Sequence, residues 1–157
     1  MLLTISFLHR RNMEEINLIS LKVIREKSIG YTFNPILKPE DIFNMIKGLI
    51  GDTDREYFLV INVDVKNKPT SIEIASIGTL TEANIHPREI FKSAIITNSN
   101  KIILSHTHPS GDPKPSYEDI KVTKKLQKVG DIIGIPILDH IIIGEDHYFS
   151  FAENGEI

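Results

Sequence analysis

The stretch SHTHPSGDPKPSYED, residues 105–119, holds the side chains best able to do chemistry together. His106 and His108 stand two apart at the end of an apolar, β-branched run, and in a strand residues i and i+2 project from the same face. Both imidazoles can therefore point at one ion. Neutral imidazole is a favoured zinc ligand, and two histidines with a carboxylate form a catalytic zinc set that leaves a coordination position open for water. Asp119 is the candidate third ligand. The loop before it holds three prolines and a glycine, so it turns sharply and can bring the start of the next helix back beside the strand end.

The same residues have a plainer reading. Ser116-x-x-Asp119 ahead of an apolar helix is a capping-box pattern, with Ser116 as N-cap and Asp119 at N3. An H-x-H pair at a strand end is often only a hydrogen-bonded surface feature. The conjunction decides. H-x-H-P, six residues, then S-x-x-D fixes five positions, which average residue usage yields in roughly one window per few million. The two readings of the serine and aspartate are also compatible, since a helix start can cap itself and still present a carboxylate inward.

These residues need a scaffold, and the pattern supplies one. Residues 15–24 (EINLISLKVI) read as a strand, followed by a connection over 27–38. Pro39 opens a helix with Glu40 and Asp41 in its first turn; Ile42, Phe43, Ile46, Leu49 and Ile50 fall at helical spacing, and Gly51 ends it as an αL cap. Residues 56–65 and 70–77 are two strands around a KNKP turn. Gly78 to His86 is a loop. Pro87 starts a second helix with Ile90, Phe91, Ala94 and Ile95 on one face, and residues 101–106 form a short buried strand ending at the histidines. A third helix follows Ser116, with Val122, Leu126, Val129 and Ile133 as its apolar stripe and Gly134 as its end; residues 136–143 and 147–151 are two further strands. The expected fold is α/β, a mixed central β-sheet flanked by helices.

Composition narrows the chemistry. The chain has 157 residues, 41% apolar and 25% charged, with a net charge of −3, which suits one folded domain without an overall cationic field. With no cysteine, thiolate zinc sites, cysteine nucleophiles and disulfides are excluded. No apolar run reaches the roughly 18 residues that span a bilayer. The opening MLLTISFLHRR places its arginines after the apolar stretch, the wrong order for a signal peptide, so a cytoplasmic protein is expected. Residues 1–12 read as a frayed start.

With motif and scaffold together, the chain resembles the JAMM (JAB/MPN) metalloprotease family, and the RadC family in particular. The resemblance rests on HPSGDPKPSYED, on GTLTEANIHPREIF at 78–91 and on LDHIIIG at 138–144, and covers about residues 38–152. It implies a JAB/MPN (cytidine-deaminase-like) fold. In such enzymes two histidines and an aspartate bind zinc, an upstream glutamate acts on the metal-bound water, and the serine of S-x-x-D helps hold the developing oxyanion. The matching residues are His106, His108 and Asp119 for Zn2+ and Ser116 for the oxyanion, a role worth roughly 3 kcal/mol in comparable sites. The glutamate sits at the start of an early strand. Glu56 fits that place as general base, with Glu73 in the next strand as its rival.

Asp139 and His140, inside an apolar strand, read either as a buried pair supporting the sheet or as groups orienting the zinc ligands. Lys121, Lys124, Lys125 and Lys128 follow one helix face and read as its solvated side. RadC proteins usually carry an N-terminal helix-hairpin-helix module that contacts DNA; the residues before 38 lack its Gly-rich hairpins, so at most weak, sequence-independent DNA binding is expected, and no DNA cleavage.

The sequence thus reads as an N-terminal strand and connection over 1–37 and a RadC-like JAB/MPN domain over 38–157. The activity expected is that of a zinc-dependent metallopeptidase or isopeptidase acting on a peptide or protein substrate, with no membrane association. Two other readings stand beside it: a DNA-repair-associated enzyme using the same metal, and a non-catalytic zinc-binding interaction domain. Ligands for one clear ion argue against a two-ion nuclease, and a full ligand set with a candidate base argues against a relic.

Overall fold

A computed structural model of the chain describes residues 16–28, 30, 34–78 and 85–157. Helix α1 runs Pro39–Ile50. Its first turn is closed by the Asp41 carboxylate, which accepts from the Leu37 and Lys38 amides at 2.9 and 3.1 Å. Strands β1 (Tyr57–Val63) and β2 (Pro69–Ile77) form an antiparallel pair. Helix α2 (Pro87–Ile96) leads to β3 (Lys101–Thr107), and α3 (Tyr117–Ile133) carries the chain across to β4 (Ile137–Ile143) and the short β5 (Tyr148–Ser150). The sheet order is β2-β1-β3-β4-β5. Among the described residues only β3 and β4 pair in parallel, as the α3 crossover between them requires. The sheet is mixed and has helices on both faces, as expected.

Two cores flank that sheet. Even-numbered positions of β1 and β3, among them Phe58, Val60, Ile102 and Leu104, pack with Ile90, Phe91 and Ala94 of α2 and Val122 and Leu126 of α3. Odd-numbered positions, Leu59, Ile61, Val63 and Ile103, pack with Ile42 and Ile46 of α1 and with Ile141 and Ile143 of β4. Burial on both faces explains why β1 and β3 are near-continuous apolar runs rather than alternating ones. Within β1 the polar exception is Asn62, fully buried, whose Nδ2 donates to Ser71 Oγ on β2 and Ser93 Oγ on α2 at 2.9 and 3.1 Å.

Several expectations need correction. Residues 16–24 form no strand; Ile16, Leu18 and Ile24 are almost fully exposed. β-branched composition favours a pleated surface only where a neighbouring strand supplies one, and the described residues supply none here. Gly51 has φ 70° but ψ −155°, so it leaves α1 by an extended turn rather than an αL cap. The inner face of α3 is Asp119, Val122, Thr123, Leu126 and Gly130, not a purely apolar stripe; Ile133 lies partly outside, and Ile95 of α2 is likewise exposed. Residues 1–12 and most of the loop expected over 78–86 lie outside the described residues.

Gly130 is held where α3 meets the chain leaving it. A Cβ built there would lie 2.7 Å from the Ile135 carbonyl oxygen and 3.3 Å from Phe91 Cζ. The Ile135 amide donates back to the Gly130 carbonyl at 3.0 Å, so the crowding atom is backbone and tethered. In a free helix Gly→Ala stabilises by about 1 kcal/mol. Here Gly130→Ala should instead lower the melting temperature by several degrees. A melting temperature equal to or above wild type in thermal denaturation would show that this contact relaxes without cost.

Candidate metal centre

Strand β3 delivers the first histidine. His106 sits opposite Phe58 in the β1 register, stacks on that ring at 6.0 Å and 8°, and is fully buried. His108 lies just past the strand end. Its amide donates to the Ile143 carbonyl at 2.9 Å, which extends the pairing with β4 and fixes the direction of its side chain. Period two then brings both imidazoles to the same side, with ring centroids 4.8 Å apart.

The loop after His108 is fastened to the end of β4. Gly111 has φ 82°, and its carbonyl accepts from the Glu145 amide at 3.0 Å. Gly144 allows this approach, since a Cβ there would come within 2.4 Å of the Gly111 oxygen. The chain then turns at buried Pro113 into Ser116, the N-cap of α3. The capping box is present: Asp119 N donates to Ser116 Oγ at 3.2 Å, and Asp119 Oδ2 accepts from Ser116 N and Oγ at 2.7 and 2.6 Å. This box swings Asp119 inward, where it is only 5% exposed.

The three side chains converge. His106 Nε2 lies 3.0 Å from His108 Nε2 and 3.3 Å from Asp119 Oδ1, and His108 Nε2 lies 3.6 Å from Asp119 Oδ2. Two ligand atoms about 2.1 Å from a tetrahedral ion lie about 3.4 Å apart, so the spacing suits a single small cation. Proton placement agrees. His108 Nδ1 is 2.8 Å from the Asp112 carbonyl; a carbonyl only accepts, so Nδ1 carries the proton and neutral His108 leaves Nε2 bare. Among the described residues these three form one group able to hold a metal ion.

The electrostatics carry the same message. Burial pushes the His106 imidazole below its ordinary range, with the Asp119 carboxylate opposing. Burial also works against a charged His108, but Asp119 and the Asp112 carbonyl outweigh it and hold its pKa above the ordinary value. Burial would raise Asp119, yet the neighbouring His106 and His108 and the Ser116 hydroxyl hold it far below the usual carboxylate range. The pocket favours a positive charge between these groups, which a proton or a metal ion can supply.

The other expected site residues fall into distinct places. Glu56 sits just before β1, two residues outside the Phe58–His106 pair and so at the same end of the sheet as His108. It is half-buried, and its charge acts on both His106 and His108. Glu73 lies on β2, paired with Val60 on the far side of β1, with one carboxylate oxygen buried and without a hydrogen-bond partner. Ser116 is at the site but spends its hydroxyl proton on Asp119. Asp139 turns away from the metal centre: it accepts from Ser150 Oγ, the Ala152 amide and the His140 amide at 2.6, 2.9 and 2.7 Å, pinning the C-terminal turn to the sheet. His140 does reach the site, 2.8 Å from His106 Nδ1. Thr123 and Gly144 are site-shaping residues that sequence reading missed. Each acts through a partner remote in sequence, and no local pattern announces that.

Comparison with known proteins agrees with this architecture. Residues 36–156 match the RadC-like JAB domain. A UPF0758 protein of Caldanaerobacter subterraneus subsp. tengcongensis is 47% identical over 120 residues, which is 76% of this chain and 52% of that protein. A UPF0758 protein of Desulfitobacterium hafniense is 48% identical over 120 residues, covering 76% and 53%. One of Methanosarcina mazei is 44% identical over 120 residues, covering 76% and 52%. The chain spans about half the length of these curated relatives. With most of its length matched, its mixed sheet and the His106–His108–Asp119 cluster in place, this chain belongs to the RadC-like JAB domain family.

Proposed function

We propose that this chain is a JAMM-type metal-dependent hydrolase that cleaves the amide bond of a peptide or isopeptide substrate, with zinc held by His106, His108 and Asp119. The observation that carries the reading is the meeting of two imidazole Nε2 atoms and a carboxylate at 3.0–3.6 Å, with Glu56 across the strand end. A bound zinc ion supplies Lewis acidity, lowering the pKa of a coordinated water from 15.7 to about 7. Glu56 takes the proton of the attacking nucleophile and passes it to the leaving amine. Ser116, once its hydroxyl rotates off Asp119, donates to the tetrahedral oxyanion. One ligand group rather than two among the described residues favours this reaction over two-ion phosphodiester cleavage.

Purified protein should bind about one zinc per chain, and Asp119→Ala should lose most of it, because two imidazoles alone leave the ion under-ligated. Metal analysis of the variant decides; full zinc occupancy would reduce Asp119 to its capping role.

Protons compete with the metal for His108 Nε2. Its pKa is raised above 6.5, so apparent zinc affinity should begin to fall while the pH is still above 6.5. Stability without metal follows from two signs. His108, raised in the fold, contributes stability that is complete below its unfolded value and lost as pH rises through its folded pKa. Asp119, depressed in the fold, contributes stability present above the ordinary carboxylate range and lost as pH falls toward its folded value. The zinc-dependent gain in melting temperature should therefore grow from mildly acidic to mildly alkaline solution. A gain independent of pH would remove His108 from the ligand set.

Glu56→Gln should keep zinc and fold but abolish cleavage in peptide and isopeptide libraries, since glutamine keeps the shape and cannot accept the proton. Loss of zinc would make Glu56 a ligand, and undiminished cleavage would exclude it as the base.

A further inference from the structure

His106 contacts three groups through two ring nitrogens, and only one of its neutral tautomers leaves Nε2 free for a metal. Its Nδ1 faces His140 Nε2 at 2.8 Å. Another imidazole is an ambiguous partner, because it can donate or accept. The ambiguity is resolved one group further on. Thr123 Oγ1 lies 2.6 Å from the Asp119 carbonyl oxygen and 2.6 Å from His140 Nδ1. A carbonyl cannot donate, so the single Thr123 hydroxyl proton is committed to Asp119. Thr123 must then accept from His140 Nδ1–H. That leaves His140 Nε2 bare, so His106 Nδ1–H donates to it and His106 Nε2 is left bare beside His108 and Asp119.

We infer that Thr123 and His140 are positioning residues: a one-way hydrogen-bond chain from the Asp119 carbonyl through Thr123 and His140 locks His106 into the Nδ1–H tautomer, with Nε2 free for the metal. The inference rests on the reading of His106 as a ligand, but it concerns a state that exists before any metal arrives. Its parts are held closely. Thr123, His106 and His140 are fully buried, so no bulk water replaces a lost partner. The His140 ring is stacked on Phe151 at 5.0 Å and 11° and meets the edge or face of Phe58 at 5.5 Å and 62°, which keeps it from rotating. The chain also joins two ligands, since the hydroxyl that orients His106 is anchored on the backbone of Asp119.

The test uses metal-free protein with 15N-labelled histidine, in which two-bond proton–nitrogen correlations report each tautomer. Wild type should show His106 and His140 both protonated at Nδ1. Thr123→Val keeps the shape but removes the acceptor, so His140 should shift toward its Nε2–H form and His106 with it. Zinc affinity, titrated by chelator competition, should fall roughly 10–100-fold, as for other groups that orient a ligand. Thr123→Ser restores the hydroxyl and should recover both readouts, which a purely packing role would not predict. A wild-type His106 protonated at Nε2 would overturn the inference directly, whatever the variants do. So would Thr123→Val with unchanged tautomers and zinc affinity. If wild type shows the predicted tautomers yet binds no zinc, the lock stands and the metal-hydrolase reading falls.

Discussion

Two imidazole nitrogens without protons and an ionised carboxylate, brought within 4.8 Å of one another in a buried space, repel unless something positive lies among them. Leaving such groups unpaired costs several kcal/mol, so the fold has to hold them there against their own electrostatics. The burial of His106 and the anchoring of the loop to the end of β4 serve that requirement. So does the inward turn of Asp119. A cation among them would remove that repulsion, which is why the cluster reads as a candidate centre and not as a surface accident.

The holding is done at one junction of the sheet. β3 and β4 pair in parallel, and α3 crosses between them, so the C-terminal end of β3 and the N-terminal start of α3 lie side by side. That is where α/β folds generally place ligands. The junction is closed from two directions: the His108 amide pairs with Ile143, and the Gly111 carbonyl takes the Glu145 amide where Gly144 has no side chain to obstruct it. The antiparallel β1 then brings Glu56 to the same end of the sheet from the other side. β3 and the helix after it thus supply the three ligand candidates, and the antiparallel neighbour β1 leads in from the candidate base.

Much of this was legible in the sequence, for a definable reason. His106 and His108 obey the strand period, and Ser116 and Asp119 obey the helix-start pattern; both are local rules. The helices and five strands of the sheet followed from apolar periodicity and from prolines at helix starts. What escaped depends on partners distant along the chain. The residues 16–24 have strand composition but no strand beside them. For Asp139 the sequence left open whether it supports the sheet or orients the zinc ligands, and only the way β5 folds back shows its carboxylate drawn to Ser150 and Ala152. Thr123 occupies a position that the helical period marks as core. Only the meeting of α3 with β4 shows that its hydroxyl has two polar partners.

The capping box also clarifies how one carboxylate can serve two purposes. Asp119 Oδ2 takes both donors of Ser116, at 2.7 and 2.6 Å, while Oδ1 faces His106 Nε2 at 3.3 Å. On the proposed reading, capping and ligation would therefore use different oxygens of one group and would not compete for the same lone pairs. The cost falls on Ser116 instead. Its hydroxyl proton is held by Oδ2, and a cation drawing charge out of that carboxylate would weaken the hold. On the proposed reading, metal binding would then be what releases Ser116 to donate elsewhere, so that helix cap, ligand and oxyanion donor are linked uses of two neighbouring side chains rather than separate sites.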